Sequence, residues 1–392
     1  MTQKNTLRIA FLLYSTKPRG GVMHTIYLAE ALQALGHQVC IFALAKAGAE
    51  FCRPLQCESR LIPSFPAADD VEALVKQRIQ EFVDYFEQSS EGFDYYHAQD
   101  CISANALAIL RDRQVIPHYL RTIHHIDDFN HPYLQECQDR SIRLPDLCLC
   151  VSEYWQTQVE QHYQVKTARV TNGVDVQRFL PNPEATAALK QQLGLKGHPI
   201  YLTVGGIEPR KNSIAIVEAF AQVLKYFPDA QLVIAGGDTF FDVSPYRELF
   251  FDAVQKLNIS LGQSLIISGV VSAEELPVLY RCADAFVFPS LKEGWGLVVL
   301  EAIASNLPVI TSNQPPFTEF LAADQALLVN PCDVDAIAQA MIASVQPNLS
   351  EPLKQKSQTV LTQYTWEASA CLHIQRYKQL LQRHSVSEVH VV

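Results

Sequence analysis

Short apolar runs alternate along the chain with longer stretches whose apolar residues recur every three or four positions. Leu7-Arg8-Ile9-Ala10-Phe11-Leu12-Leu13-Tyr14 is almost continuously apolar and short enough to be a buried strand. A Gly20-Gly21 turn follows. Val22, Ile26, Ala29, Leu32 and Leu35 then share one helical face that stops at Gly36, a residue suited to the left-handed helix C-cap. Residues 38–44 read as the next strand, and two strands joined by a helix make a parallel βαβ unit. The rhythm continues with strands over 93–97, 118–123, 147–151 and 169–171, the last closed by Asn172-Gly173. Residues 181–199, richer in Pro, Gly and polar side chains, read as a linker. A second set follows, with strands over 201–204, 231–235, 264–268, 285–289 and 307–311. Helices over 213–226, 244–258, 273–282 and 296–305 separate them. Residues 366–383 read as one long amphipathic helix. The pattern predicts an α/β chain of two parallel-sheet domains, with ligands at the C-terminal ends of the strands and held in the crevice where the domains face each other.

Composition narrows the function. Of 392 residues, 48% are hydrophobic and 18% charged, a globular balance that excludes disorder and fibres. The net charge of −10 gives no broad positive field for nucleic acid or anionic lipid, so any phosphate must be held by a local arrangement. Ten cysteines form no CxxC pair. Cys148 and Cys150 lie inside an apolar strand, as small buried free thiols do. Met1-Thr2-Gln3-Lys4-Asn5 leads straight into the first strand without a signal peptide, and no window approaches an apolar span of ~18 residues. The expected location is cytoplasmic, with room for peripheral membrane contact through a small patch.

Three segments carry candidate chemistry. In Pro289-Ser290-Leu291-Lys292-Glu293-Gly294-Trp295-Gly296-Leu297-Val298-Val299-Leu300-Glu301-Ala302, a strand ends, a loop carries Glu293, and a helix opens after two glycines. A helix start offers free N–H groups and a positive dipole end to a phosphate, and the two carboxylates can accept hydrogen bonds from a polyol. The alternative is a plain strand–turn–helix with two surface acids. In Val204-Gly205-Gly206-Ile207-Glu208-Pro209-Arg210-Lys211-Asn212, a glycine turn precedes adjacent cations that would neutralise a diphosphate, or would simply be solvated. The segment from Arg121 to His131 gathers His124, Asp127, Asp128 and His131, either as metal ligands or with a single imidazole reaching the crevice. Gly20-Gly21 is a weaker signal, and Gly236-Gly237 weaker still.

Taken together and in order, these segments resemble the retaining glycosyltransferases of family 4, with the GT-B fold, over almost the whole chain. The resemblance rests on the glycine loop ending at Gly20-Gly21, on His97-Ala98-Gln99-Asp100, on Thr122-Ile123-His124, on Val151-Ser152-Glu153, on Thr171-Asn172-Gly173-Val174-Asp175, and on the segments around Lys211 and Glu293. It implies an N-terminal acceptor-side domain over 1–180, a nucleotide-sugar domain over 181–365, and a C-terminal helix over 366–392 that packs back on the first domain. It further implies that Lys211, helped by Arg210, holds the donor diphosphate, that Glu293 binds the transferred sugar, and that Glu301 binds the ribose. His124 would contact the sugar. Gly20 and Gly21 would allow close approach of their loop, and Gly269 and Val270 would flank the base. Gly294, Trp295, Gly296 and Leu297 would line the donor site, with Asp100 on the acceptor side. No cofactor or metal is implied, and retention would follow a front-face route onto a small-molecule, lipid or glycan hydroxyl. The chain departs from its relatives at Gly206, where many carry Arg, and at Ser312-Asn313-Gln314, where many carry glycine-type residues. Competing readings are a metal-dependent hydrolase built on His124, Asp127, Asp128 and His131, a GT-B-like epimerase or phosphorylase, and a nucleotide-sugar binder without turnover.

Overall fold

The structure is a computed structural model that describes residues 6–66, 70–182, 186–237 and 244–389, with side-chain detail to residue 380. Residues 1–5, read above as leading into the first strand, and 183–185 of the expected linker lie outside the described residues. The chain divides into two compact units, Met1–Asn172 with Trp366–Val392, and Gly173–Thr365.

The first unit contains β1 (Arg8–Leu13), α1 (Gly20–Ala34), β2 (Gln38–Ala45), β3 (Glu58–Pro63), α2 (Val71–Gln88), β4 (Tyr95–Ala98), α3 (Cys101–Asp112), β5 (Tyr119–Ile123), α4 (Pro132–Arg143), β6 (Leu147–Cys150), α5 (Glu153–Tyr163) and β7 (Thr167–Arg169). Its strands form one parallel sheet in the order β3-β2-β1-β4-β5-β6-β7. β6 is buried along its whole length, with Cys148 and Cys150 packed among Ile142 of α4 and Trp155 and Val159 of α5, which explains an apolar run without alternation. β3 escaped the pattern because Glu58-Ser59-Arg60-Leu61-Ile62-Pro63 has no apolar run, as suits an edge strand. Helix α1 begins at Gly20, two residues before its apolar face, so the expected glycine turn is instead the helix's first turn. β7 closes at Arg169, earlier than expected.

The second unit contains α6 (Val176–Phe179), α7 (Thr186–Leu193), β8 (Ile200–Val204), α8 (Ser213–Val223), β9 (Gln231–Ala235), α9 (Ser244–Lys256), β10 (Leu265–Gly269), α10 (Glu275–Cys282), β11 (Ala285–Phe288), α11 (Leu297–Ala304), β12 (Val309–Ser312), β13 (Leu327–Val329), α12 (Val334–Ser344) and α13 (Pro347–Leu361). Its parallel sheet runs β10-β9-β8-β11-β12-β13. Part of the expected linker is therefore helix α7, which buries Leu189. Buried side chains including Tyr201, Phe220, Phe250, Val287 and Met341 form the core of this unit.

The chain ends in α14 (Trp366–Val389), which belongs to the first unit. Trp366 stacks on Tyr27 of α1 with ring centroids 5.4 Å apart, and Tyr377 stacks on Tyr95 of β4 at 4.8 Å. The Tyr95 hydroxyl donates to the Tyr377 carbonyl at 2.8 Å. α1 is thus covered by α14 as well as by the sheet, which explains why residues such as His24 and Thr25, off its main apolar face, are buried too. The ten cysteines are free thiols, and burial pushes Cys148 and Cys150 up to about 12. Among the described residues no helix is long and apolar enough to cross a membrane.

Candidate active site

In each sheet the strand order reverses beside the first strand, between β1 and β4 and between β8 and β11. Adjacent strands there send their chains to opposite sides, and the C-terminal loops part to leave a crevice. In the second unit those loops carry the segments around Lys211 and Glu293.

Gly205 and Gly206 leave β8 with their N–H groups 2.7 and 3.1 Å from the Ala235 carbonyl. A Cβ on Gly205 would lie 2.8 Å from Cε of Lys211, so the missing side chain is the room the lysine occupies. Arg210 and Lys211 sit in a 3-10 turn, Pro209–Lys211, closed by Asn212 in the left-handed region at φ 62°. The Asn212 amide donates to the carbonyls of Pro289 and Pro331 at 3.1 and 2.6 Å, tying this turn to the end of β11. Leu291 N–H donates to the Arg210 carbonyl at 2.8 Å, a second tie.

The two loops hold one charge cluster. Lys211 Nζ donates to Oε1 of Glu293, and Arg210 Nη1 reaches the same oxygen at 3.0 Å. The Ser290 hydroxyl lies 3.1 Å from that oxygen and 2.6 Å from the Arg210 carbonyl, and its one proton can serve either. Arg210 Nε also pairs with Glu208 at 2.9 Å. Only 10% of the Lys211 side chain and 9% of the Glu293 side chain remain exposed, so neither is a solvated surface charge. The ammonium also lies 4.6 Å from the centre of the Phe288 ring, a cation–π contact. Burial and then Arg210 draw the Lys211 pKa down, against Glu293.

Beyond Glu293 the chain turns into α11. Gly296 takes φ 95°, and a Cβ there would meet Phe317 at 2.7 Å, so the turn requires glycine. Leu297 opens α11, whose first N–H groups have no partner within the helix. Trp295 is buried and stacks on Phe320 at 4.8 Å, so its ring anchors the loop. Glu301, one turn into α11, is buried with Tyr280 Oη 2.9 Å from its carboxylate. Burial pushes its pKa up to about 7, against the Tyr280 hydrogen bond and the charge of Arg178. Glu301 is therefore not a surface acid, the alternative left open by the sequence.

Gly236-Gly237, the weakest glycine signal in the sequence, is the backbone partner of Gly205-Gly206. A Cβ on Gly206 would lie 2.7 Å from the Gly237 carbonyl oxygen, and one on Gly236 would lie 2.4 Å from the Gly206 nitrogen. This backbone contact leaves no room for a side chain at Gly206. Gly269 accepts from Gly236 N–H at 2.8 Å, and Val270 beside it is 67% exposed.

In the first unit His124 follows β5 and is half-buried, its Nε2 3.1 Å from Gln99 Oε1. Burial, and then His125, push its pKa down to about 3, so the ring is neutral at neutral pH. A Cβ on Gly21 would touch the ring at 3.4 Å. Gly20, one residue earlier, has open space around the corresponding position. Asp100 caps α3: its carboxylate accepts from Ser103 N–H at 2.8 Å and from Tyr14 N–H at 2.9 Å, joining the ends of β1 and β4. The proposed metal ligands do not converge. His124 faces Gln99, Asp127 pairs with His125 at 3.1 Å, and His131 stands at the N-cap position of α4 without a side-chain cap bond. Among the described residues no group of three or more His, Cys, Asp and Glu is placed to hold a metal ion.

Sequence reasoning missed the supporting residues. Ser290 lies within the quoted segment and Phe288 just before it, but what brings them to the Lys211 loop is a contact across two adjacent strands. Tyr280 reaches Glu301 from another helix, and no local motif marks it. His24 was hidden as well. It stacks edge-on against His124 at 4.8 Å and bonds Asn172 at 2.8 Å.

The family model for Glycosyltransferase Family 4 matches residues 18–178, and that for Glycosyl transferases group 1 matches 186–359. A GDP-mannose-dependent alpha-(1-6)-phosphatidylinositol monomannoside mannosyltransferase of Mycolicibacterium smegmatis is 29% identical over 208 residues, 50% of this chain and 52% of that protein. The chain thus spans about half the length of that relative. The structure of a sucrose-phosphate synthase from Thermosynechococcus elongatus aligns with a TM-score of 0.80 at 23% identity, covering 96% of this chain and 100% of that one. Anabaena HepE, solved in complex with UDP and glucose, aligns at 0.78 and 17% identity, covering 95% and 100%. With one glycosyltransferase family model matching 18–178 and a second matching 186–359, the chain belongs to the family 4 glycosyltransferases and has the GT-B architecture.

Proposed function

We propose that this protein transfers a sugar, with retention, from a nucleoside diphosphate sugar to an acceptor hydroxyl. The observation that carries the proposal is the nearly buried pair of Lys211 and Glu293, with Arg210 beside it, at the switch point of the second sheet. Two cations and a helix start supply what a diphosphate needs, and a carboxylate beside them supplies what a sugar ring needs. Relatives point the same way, one named as GDP-mannose-dependent and one solved with UDP and glucose.

The second unit takes the donor. Lys211 and Arg210 hold the diphosphate, with the N–H groups from Gly294 to Leu297 at the start of α11. Glu293 accepts hydrogen bonds from the sugar, Glu301 from the ribose, and Gly269 and Val270 flank the base. The first unit takes the acceptor. Neutral His124 orients the sugar through a hydrogen bond, Gly20 and Gly21 let the backbone approach, and Asp100 sets the loop beside them.

In the reaction, the bond between the sugar C1 and the diphosphate oxygen breaks. The acceptor oxygen bonds to C1 on the same face, and its proton passes to the leaving diphosphate oxygen. Negative charge grows on the leaving group and positive charge on the ring, and fixed groups of opposite sign stabilise both without reorganising. No metal is needed when cations and a helix end do this work. The test is a thermal-shift screen with UDP, GDP and ADP, followed by the matching nucleotide sugars with detection of released nucleoside diphosphate. A bound nucleotide stabilises the native state by about 2.7 kcal/mol at a hundredfold excess over Kd. No shift with any of the three, and no release, would overturn the proposal.

A further inference from the structure

Glu293 occupies the place that the proposed function gives to a phosphate. Its Oε1 takes the ammonium of Lys211 and the Nη1 of Arg210 at 3.0 Å, with the Ser290 hydroxyl 3.1 Å away. The three side chains come from loops fixed to each other by Asn212 and by the Leu291–Arg210 backbone bond. The pair is nearly sealed from water, with 10% and 9% of the side chains exposed. The buried ammonium, with the part-exposed guanidinium beside it, needs a counter-charge; Glu293 supplies it to both, while Glu208 pairs only with Arg210 Nε, at 2.9 Å.

We propose that Glu293 is a resident anion of the diphosphate site, exchanged for the donor's phosphates on binding and returned when the nucleoside diphosphate leaves. This inference rests on the donor reading above and deepens it. An arriving diphosphate takes over Lys211 and Arg210, and the displaced carboxylate becomes free to accept hydrogen bonds from sugar hydroxyls. Binding of the phosphates and engagement of the sugar are thereby coupled in one swap. A nucleoside diphosphate without a sugar displaces Glu293 but gives it no hydroxyl to bind. The carboxylate then competes for its cations, which weakens product binding and favours release. Glu293 thus acts twice, as a contact to the sugar and as a built-in competitor of the product.

The test measures binding of UDP, GDP, ADP and inorganic pyrophosphate by calorimetry to the wild-type protein and to Glu293→Gln and Glu293→Ala, with thermal melts to verify folding. At least one nucleoside diphosphate binds the wild type. The same one, and pyrophosphate, bind the folded Glu293 variants at least ten-fold tighter, while the nucleotide sugar gains less because its sugar contact is lost. Equal or weaker nucleoside diphosphate binding in both variants overturns the resident-anion proposal and leaves the donor reading standing. If none of the four probes binds wild type or variant, the donor reading itself falls, and this inference with it.

Discussion

Lys211 and Glu293 stand 82 positions apart in the chain, yet the ammonium of one donates to the carboxylate of the other in a nearly buried pair. The contact exists because β8 and β11 are neighbours in the sheet although three helices and two strands separate them in sequence. Replacing Lys211 by Met removes the buried cation and leaves Arg210 to hold Glu293. The expected result is a fall in kcat/KM of on the order of a hundredfold, the scale of one lost contact to developing charge. A steady-state assay of nucleoside diphosphate release checks it, and undiminished turnover would refute the role given to Lys211.

Gly206 is the second position to probe. An arginine there, as the family resemblance implies, would place a Cβ 2.7 Å from the Gly237 carbonyl, at a φ of 76° that side chains rarely adopt. Gly206→Arg and Gly206→Ala should lose a similar amount, about 1–3 kcal/mol, because the Cβ rather than the guanidinium causes the strain. Thermal or chemical unfolding reads the loss. A Gly206→Arg protein as stable as wild type would show that the loop can move away.

Glu301 makes stability depend on pH. Its folded pKa, about 7, is raised above the ordinary glutamate value, so the native state binds the proton more tightly than the unfolded chain. This contribution is fully present below about pH 4.3 and is lost as pH rises through about 7. Glu301→Gln keeps a neutral group of the same shape. The variant should match wild type near pH 4 and gain on it by a few kcal/mol at pH 8, since a tenfold difference in proton affinity between the folded and unfolded chain corresponds to about 1.4 kcal/mol. Paired denaturant titrations at the two pH values test this, and a difference independent of pH would sink it.

The buried histidines act in the opposite direction. His24, His97 and His373 are buried and His124 is half-buried, with rings linked pairwise at centroid distances of 4.8 to 6.1 Å. His97 bonds Tyr377 at 2.9 Å and Thr122 at 2.8 Å, and His373 bonds the Ser369 carbonyl at 2.8 Å. Burial pushes His124 down to about 3 and His373 to about 4, and lowers His24 and His97 well below the usual value. Depressed values mean stability that is present above about pH 6.5 and lost as pH falls toward these folded pKa values. His373→Asn should make the acid-side loss shallower by up to about 1.4 kcal/mol per pH unit. Unfolding free energies between pH 7 and pH 4.5 check it, and an unchanged slope would contradict it.

The one-dimensional pattern determined which residues become strands and helices wherever burial is periodic, because β6 or α1 must hide its apolar face whatever lies next to it. It also determined the candidate chemistry: glycines before adjacent cations, and a carboxylate before a glycine-opened helix, are local features of one loop each. The edge strand β3 and the helix α7 were not legible, since neither carries an uninterrupted apolar signal. Tertiary structure alone decided that Lys211 and Glu293 form one buried pair, that Gly206 needs Gly236-Gly237 against it, and that Tyr280 and burial set the charge of Glu301. These depend on which loops the strand order brings side by side and on how much water the packing removes, and neither is written in any short stretch of residues.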